Sequence, residues 1–404
     1  MTSSWTVVPL GELVEAARGI SYGVVQPGQH AANGVPLVRV TDIREGRIAT
    51  ADPLRIAPDI EAKYQRSRLR GGEILLTLVG TVGQTAIVPP DLAGWNTARA
   101  VAVVPLRDPA EARWVRFALS APQTREFIDG RLNTTVQATL NLRDVALLPI
   151  PFPDGRIRRG IVEILGALDD KIELNRRTNE TLEAMARALF DEASSYDAIE
   201  APLPDLVDFQ EGPGILARDF RSSGVPLIRL AGLSDSATTV LAGCDFLDPA
   251  MVPQRWSHFS LRLGDVLLST SASLGRIATV GPDAVGAIPY TGIIRMRPKN
   301  DQVSASLIPC VLRSRQFQQQ VEAMGVGSVI RHFGPSHLKH MTVRVPVASA
   351  QRALDPLVTA GSRRIEVNRA ESRSLTALRD ALLPKLLSGE LRVPEAERIV
   401  GKAV

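Results

Sequence analysis

The sequence predicts an α+β chain of two tandem, pseudo-repeated globular domains separated by long α-helices, with those helices pairing as an antiparallel intramolecular coiled coil. Three observations predict it. "KIELNRRTNETLEAMARALF" (Lys171–Phe190) returns 193 residues later as "RIEVNRAESRSLTALRDALL" (Arg364–Leu383), with eight of twenty positions identical. "LRGGEILLTLVGTVGQTAIV" (Leu69–Val88) returns after 192 residues as "LRLGDVLLSTSASLGRIATV" (Leu261–Val280), again with eight identities in twenty. Both helical segments carry seam residues at alternating four- and three-residue spacing, the signature of a heptad. A period near 190 is too long for a solenoid repeat, so the duplicated unit is a domain with its helix.

Taken in order, residues 1–153 form the first domain. "VPLVRV", "EILLTLVG", "TAIVPP" and "AVAVVPL" are β-branched runs bounded by Gly, Pro and Asp, and "EARWVRFALSAPQTREFID" inserts helix among them. Residues 154–198 are the central helical spacer, with its seam on Ile161, Leu165, Leu168, Ile172, Asn175, Asn179, Leu182, Ala186 and Leu189. Residues 199–347 repeat the first domain, with "VPLIRL" standing for "VPLVRV". Residues 348–404 are the second helical spacer and tail. Its seam falls on Leu354, Val358, Gly361, Ile365, Asn368, Ser372, Leu375, Arg379 and Leu382. Two such stripes in one chain can cover each other, and the equivalent Asn175 and Asn368 are placed to fix register. Gly361 stands where the first helix has Leu168, and Arg379 where it has Ala186, which predicts a later start or looser packing of the second helix. Pro384 predicts its end, and "SGEL" a turn back towards the N-terminal region.

Some 35 helical residues span about 50 Å, or about 15 base pairs of B-DNA, enough to place two readers near one helical turn apart. At 404 residues, two or three domains are expected. Cys244 and Cys310 are isolated, which argues against a disulfide framework and fits a reducing cytoplasm. "MTSSWTVVPL" lacks the basic and apolar regions of a leader, and no window reads as a membrane span, so a cytoplasmic protein is expected. Net charge is +4, unevenly spread. Residues 154–200 hold 7 basic and 11 acidic side chains, whereas Arg295 to Arg344 carry eight basic residues against Asp301 and Glu322. The non-helical blocks therefore suit phosphate contact and the acidic helix suits a spacer.

These duplicated domains and helices, with the tail "LLPKLLSGELRV" (Leu382–Val393), resemble the specificity subunit of Type I restriction-modification systems. "LRGGEILLTLVGTVGQTAIV" is similar to the strand-loop-strand of that family's target recognition domains, and "LDDKIELNRRTNETLEAMARALF" to its central spacer helix. The resemblance implies that each target recognition domain reads one half of a bipartite site in double-stranded DNA. It implies that the helices set the gap and dock two adenine-methyltransferase subunits, which hold S-adenosylmethionine. ATP-dependent restriction subunits, with ATP and Mg, join that core. No cofactor and no catalysis are expected in this chain. "GTVGQT" lacks the lysine of a phosphate loop, "PDIEAK" crowds its carboxylates into one turn, and His332, His337 and His340 have no cysteine partners, so no metal site is expected. The rival readings are a stand-alone DNA-modifying enzyme and a coiled-coil adaptor that does not bind DNA.

Base reading needs side chains with paired donors and acceptors on loops held by strands. Two places in each copy qualify. In the loop between the duplicated strands, Thr77, Thr81 and Gln84 align with Ser269, Ser273 and Arg276. After the inserted helix, Thr134, Val136 and Gln137 align with Ser328, Ile330 and Arg331, with His332 beside them. Glutamine in the first copy becomes arginine in the second at both places. Gln pairs bidentately with adenine and Arg with guanine, so the first half-site is expected to be richer in A·T contacts and the second in G·C. The alternative for Gln84 and Arg276 is hydrogen bonding to turn carbonyls or phosphates. Lys63, Arg66 and Arg68 are phosphate-contact candidates, and Tyr64 and Trp256 are expected to anchor the core. Arg39 and Arg229 read either as DNA contacts or as members of structural ion pairs. Diverged loops on a shared frame predict an asymmetric site.

Overall fold

The computed structural model describes residues 5–132, 138–233, 240–271, 274–324 and 333–401. The chain divides into two compact units, residues 1–170 with 376–404, and residues 171–375. The two long helices, Gly155–Tyr196 and Ala348–Ser388, each contribute one stretch to each unit.

In the first unit a four-stranded sheet has the spatial order Ser21–Tyr22, Val101–Val104, Ile74–Thr77, Thr85–Ile87. Every residue of Ile74–Thr77 and Val101–Val104 is buried, as expected of uninterrupted β-branched and leucine runs covered on both faces. A three-stranded sheet sets Val35–Val38 antiparallel to Leu54–Ile56 and parallel to Asn96–Thr97. Val7–Pro9 pairs antiparallel with Pro149–Pro151, tying the two ends of the domain together. The helices Ala112–Leu119 and Pro122–Asp129 are amphipathic and bury Trp114, Phe117 and Ile128.

The second unit repeats this arrangement with one added strand, Phe220–Arg221, on its second sheet, where the first unit instead has a separate hairpin of Ile43–Arg44 with Arg47–Ile48. Its four-stranded sheet runs Val207–Glu211, Ile293–Pro298, Val266–Ser269, Ile277–Thr279. Val225–Ile228 pairs antiparallel with Asp245–Leu247 and parallel with Ile288–Pro289, and Ala198–Pro202 pairs with Thr342–Pro346. A buried carboxylate recurs at the head of the central hairpin. Glu73 accepts from the Arg70 and Gly71 amides at 2.8 and 2.9 Å and pairs with the buried Arg18 at 2.5 Å. Asp265 accepts from the Arg262 amide at 2.7 Å and pairs with Arg297 at 2.5 Å. The carboxylate keeps its place in both copies, while its arginine comes from a turn in the first and from the strand Ile293–Pro298 in the second.

Helix pairing occurs inside each unit and runs antiparallel. In the first, Ile161, Leu165, Leu168 and Leu382 are buried, and Asp169 pairs with both Arg116 and Arg379. In the second, Val358, Ile365 and Leu375 are buried, and Ile172, Leu182 and Leu189 are half-buried. A polar layer crosses this second pairing. Asn175 and Asn368 are 2% and 0% exposed. The Asn175 amide donates to Glu371 at 2.7 Å and Ser372 at 3.3 Å, and the Asn368 amide donates to Asn179 at 2.8 Å. A shift of 193 residues carries Asn175 onto Asn368 and Asn179 onto Ser372, so these two cross-helix contacts are mates under one local pseudo-twofold.

Two expectations about the second helix are corrected. Its start is not late, since it begins at Ala348, two residues after the strand ending at Pro346, whereas the looser packing is found at Gly361, where a Cβ would meet nothing within 4 Å; Arg379 is held by Asp169 and Asp380. Pro384 does not end it, because the helix continues to Ser388. Proline forfeits one i→i−4 bond there, while Leu386 and Leu387 bury the last turn. The turn comes at Gly389, in the left-handed region at φ +75°, where a Cβ would lie 3.2 Å from the Trp5 ring.

Candidate nucleic-acid interface

Three hydrogen bonds at the base of the loop between the two central hairpin strands recur in both copies. In the first, the Thr77 amide donates to the Gln84 carbonyl at 2.9 Å and the Gly83 amide to the Thr77 carbonyl at 2.9 Å. The Thr77 hydroxyl then accepts from the Gln84 amide at 2.9 Å and donates to the Thr81 carbonyl at 2.5 Å. In the second, the Ser269 amide donates to the Arg276 carbonyl at 2.9 Å, Gly275 to Ser269 at 3.0 Å, and the Arg276 amide to the Ser269 hydroxyl at 2.9 Å. Gly83 and Gly275 sit at φ +87° and +77°, conformations that a side chain resists. Space is also short at Gly83, where a Cβ would fall 2.0 Å from Arg125, whose guanidinium holds the Val82 carbonyl at 3.0 Å.

This closure reassigns two of the predicted DNA contacts. Thr77 is 0% and Ser269 1% exposed, and their hydroxyls are spent on the loop. They set the loop's shape. The exposed polar tip is left to Thr81, which is on the surface, and to Gln84 and Arg276, which are half-buried. Arg276 reaches the Leu233 carbonyl at 3.5 Å, a long contact that leaves most of its donors free to bind elsewhere.

The described chain just beyond the second predicted place bonds to the end of the hairpin strand in each copy. The Leu140 amide donates to the Leu78 carbonyl at 2.9 Å, and its counterpart Phe333 donates to Thr270 at 3.1 Å. Leu140 and Phe333 are thus held at the same place beside their hairpins. Thr134, Gln137, Ser273, Ser328, Arg331 and His332 themselves lie outside the described residues.

Several basic candidates already have intramolecular partners. Arg39 grips Asp42 through Nε and Nη2 at 3.1 and 3.0 Å, and the bond to Asp42 raises its pKa above the ordinary guanidinium value. Arg229 pairs with Asp245 and lies over the Tyr290 ring at 4.8 Å. Arg68 pairs with the buried Glu61, which also accepts from Asn96 at 3.0 Å. The bond from Arg68 holds the Glu61 carboxyl below the usual carboxylate range. Arg66 donates to the Arg18 carbonyl at 2.6 Å. Lys63 is exposed and lines a shallow surface depression with Tyr64 and Arg66. Trp256 is buried and Tyr64 half-buried against the small core of Val24, Leu37 and Ile56. One cation near the loop was not singled out from the sequence: Arg99, exposed, beside Ala100, whose carbonyl accepts from Leu78 at 2.8 Å. The duplication could not flag it, because its counterpart is Thr291.

Among the described residues, no group of three His, Cys, Asp or Glu side chains is arranged to hold a metal, and no helix is long and apolar enough to cross a membrane.

Comparison with known proteins gives a consistent picture. Residues 2–184 match the family described as Type I restriction modification DNA specificity domain. The Type I restriction enzyme EcoBI specificity subunit of Escherichia coli is 30% identical over 228 residues, covering 54% of this chain and 48% of that protein. That match therefore spans about half the length of the relative. The MjaIX specificity subunit of Methanocaldococcus jannaschii is 21% identical over 348 residues, covering 80% of this chain and 78% of that protein. Among solved structures, the Type I restriction-modification S subunit from M. genitalium aligns over 95% of this chain and 96% of its own, with 17% identity and a TM-score of 0.49.

Proposed function

We propose that this chain, whose residues 2–184 match the family described as Type I restriction modification DNA specificity domain, is the non-catalytic specificity subunit of a Type I restriction-modification system, which reads a bipartite, asymmetric DNA site and scaffolds two adenine-methyltransferase subunits. Each unit contributes one reading surface, made of the hairpin loop and the segment bonded beside it. The long helices set the gap between half-sites and carry the docking faces. S-adenosylmethionine belongs to the methyltransferase subunits, and ATP with Mg to restriction subunits that join them. Cytoplasmic residence follows from that assignment.

The observation that carries this reading is the loop closure itself. Two loops share one hydrogen-bonded frame, down to the hydroxyl of Thr77 and Ser269, yet present different groups, Gln84 in one and Arg276 in the other. A fixed frame with exchanged donors suits a reader whose two halves see different bases, each good bidentate pair discriminating by about 1–3 kcal/mol. The remaining cations beside the loops serve phosphates, which position without specifying.

Modified-base sequencing of a host expressing this chain with its methyltransferase tests the proposal. The expected result is one motif of two unlike half-sites separated by a fixed gap. Gln84→Arg should change the first half-site alone. A palindromic motif, or no motif that depends on this chain, would overturn the reading.

A further inference from the structure

The second unit holds a cavity of about 300 Å³, within the size range of small-molecule sites, between its helix pair and the hairpin Val266–Thr279 with the helix Ile308–Arg313. Its walls include Leu182, Ala186, Cys310, Val358, Gly361 and Ile365. Its charged lining is four arginines and three carboxylates, Glu183, Asp283 and Glu366; Arg313 and Arg369 share Glu183 at 3.7 and 3.4 Å, and Arg313 also reaches the Ile277 carbonyl at 3.5 Å. Both distances to Glu183 are long for a charge-assisted bond, and a guanidinium has five N–H donors to place. Burial pulls the Arg369 pKa below the ordinary guanidinium value, against the pull of Glu183 and Glu366.

The duplication explains how the cavity arose. Read at the repeat distance of 193, the first unit has Arg116, Phe117, Leu168 and Arg379 where the second has Pro309, Cys310, Gly361 and Ala186. In the first unit those side chains fill the space: Phe117 and Leu168 are buried and Asp169 joins Arg116 to Arg379. In the second, all four positions have become smaller. A Cβ built on Gly361 would meet nothing within 4 Å, although glycine costs a helix interior about 1 kcal/mol relative to alanine. Cys310 is neutral at physiological pH, its thiol pushed up to about 11 by burial, so the wall it forms is apolar.

We infer that this cavity binds a small amphipathic anion, with an apolar body against Leu182, Val358 and Ile365 and an anionic head between Arg313 and Arg369. The inference does not rest on the proposed role in DNA recognition, since it is argued from the cavity and its arginines alone.

The probe is the fluorescent aryl sulfonate 1-anilinonaphthalene-8-sulfonate, titrated into the full-length chain and competed with octanoate. Saturable enhancement with one site per chain, displaced by octanoate but not by octanol, is the expected result. Arg369→Gln should weaken the probe about tenfold, the loss of one charge-assisted bond. Gly361→Leu should abolish the saturable signal while raising the midpoint of thermal unfolding, because it fills empty space and removes a helical glycine. No saturable signal in the parent chain, equal displacement by octanol, or full binding in a folded Gly361→Leu variant would each overturn the inference.

Discussion

Replacing Thr77 with valine keeps the shape of the side chain and removes one atom's hydrogen bonding. The site is 0% exposed, so no water can take the hydroxyl's place. Two backbone groups lose their partner: the Gln84 N–H, at 2.9 Å, and the Thr81 carbonyl, at 2.5 Å. A buried group left unsatisfied costs about 1–3 kcal/mol, but Thr81 lies at the surface and its carbonyl can turn to solvent. The cost therefore falls mainly on the Gln84 amide and comes to about 2 kcal/mol, roughly a thirtyfold change in a local opening equilibrium. Because two units unfold in one chain, amide hydrogen exchange is the cleaner assay, read at Gln84 and Gly83. Both amides should exchange about thirtyfold faster in Thr77→Val, with those of Ser269 and Arg276 unchanged. Ser269→Ala should mirror this in the second unit. In the proposed complex, Thr77→Val should blur recognition of the first half-site without changing its preferred bases. If Gln84 exchange stayed within twofold of the parent, the hydroxyl would not be closing the loop.

Three other outcomes follow from the geometry. Glu61 titrates below the usual carboxylate range when folded, held there by Arg68, so it contributes stability above its unfolded pKa that is lost as pH falls through the folded one. Glu61→Gln should flatten that acid limb of the stability profile, measured by urea unfolding between neutral and acid pH; an unchanged slope would count against the pair. In the polar layer, Asn175→Leu strips Glu371 and Ser372 of their donor and should cost about 1–2 kcal/mol. It should also let the Glu371 pKa, now lowered chiefly by Asn175, rise towards its ordinary value in an NMR titration. Asn368→Leu removes a buried Oδ1 that has no recorded partner along with one amide bond, and should lie within about 1 kcal/mol of the parent in the same unfolding assay.

Duplication made much of this fold legible before any coordinates. The paired strings at Leu69–Val88 and Leu261–Val280 mark the same two strands in both units, and the heptad seam marks the helices. What sequence could not give was the direction of individual side chains. Thr77 and Gln84 look alike as polar residues flanking a loop, yet one is sealed inside the turn and the other half-buried at its rim, because strand alternation and a left-handed glycine decide which way each points. Arg39 and Arg229 were ambiguous for a related reason: their partners Asp42 and Asp245 come from a tight turn and from a neighbouring strand. Pro384 misled because a local rule about helix interiors competes with the burial of Leu386 and Leu387, and burial wins.

The two copies have been held to different standards at different places, and that pattern separates frame from function. Where a change would unsatisfy a buried backbone group, the copies agree in chemistry: Thr77 matches Ser269, Glu73 matches Asp265, and Leu140 bonds to its loop as Phe333 does. Where a side chain faces outward from that frame, they disagree: Gln84 against Arg276, Arg99 against Thr291. A purely structural repeat would have no reason to vary its loop tips between glutamine and arginine while keeping the hydroxyl beneath them. The helix seam follows the same logic in reverse. There the mated contacts Asn175–Ser372 and Asn368–Asn179 are kept at the pseudo-twofold, while four packing positions away from it shrink together in the second unit only. Two of the four first-unit side chains, Phe117 and Leu168, are large and buried, and lacking each such side chain is worth about 2–5 kcal/mol. A bound amphipathic anion under Arg313 and Arg369 is an offset of the right chemistry, since it would fill the apolar space and complete the coordination of both cations.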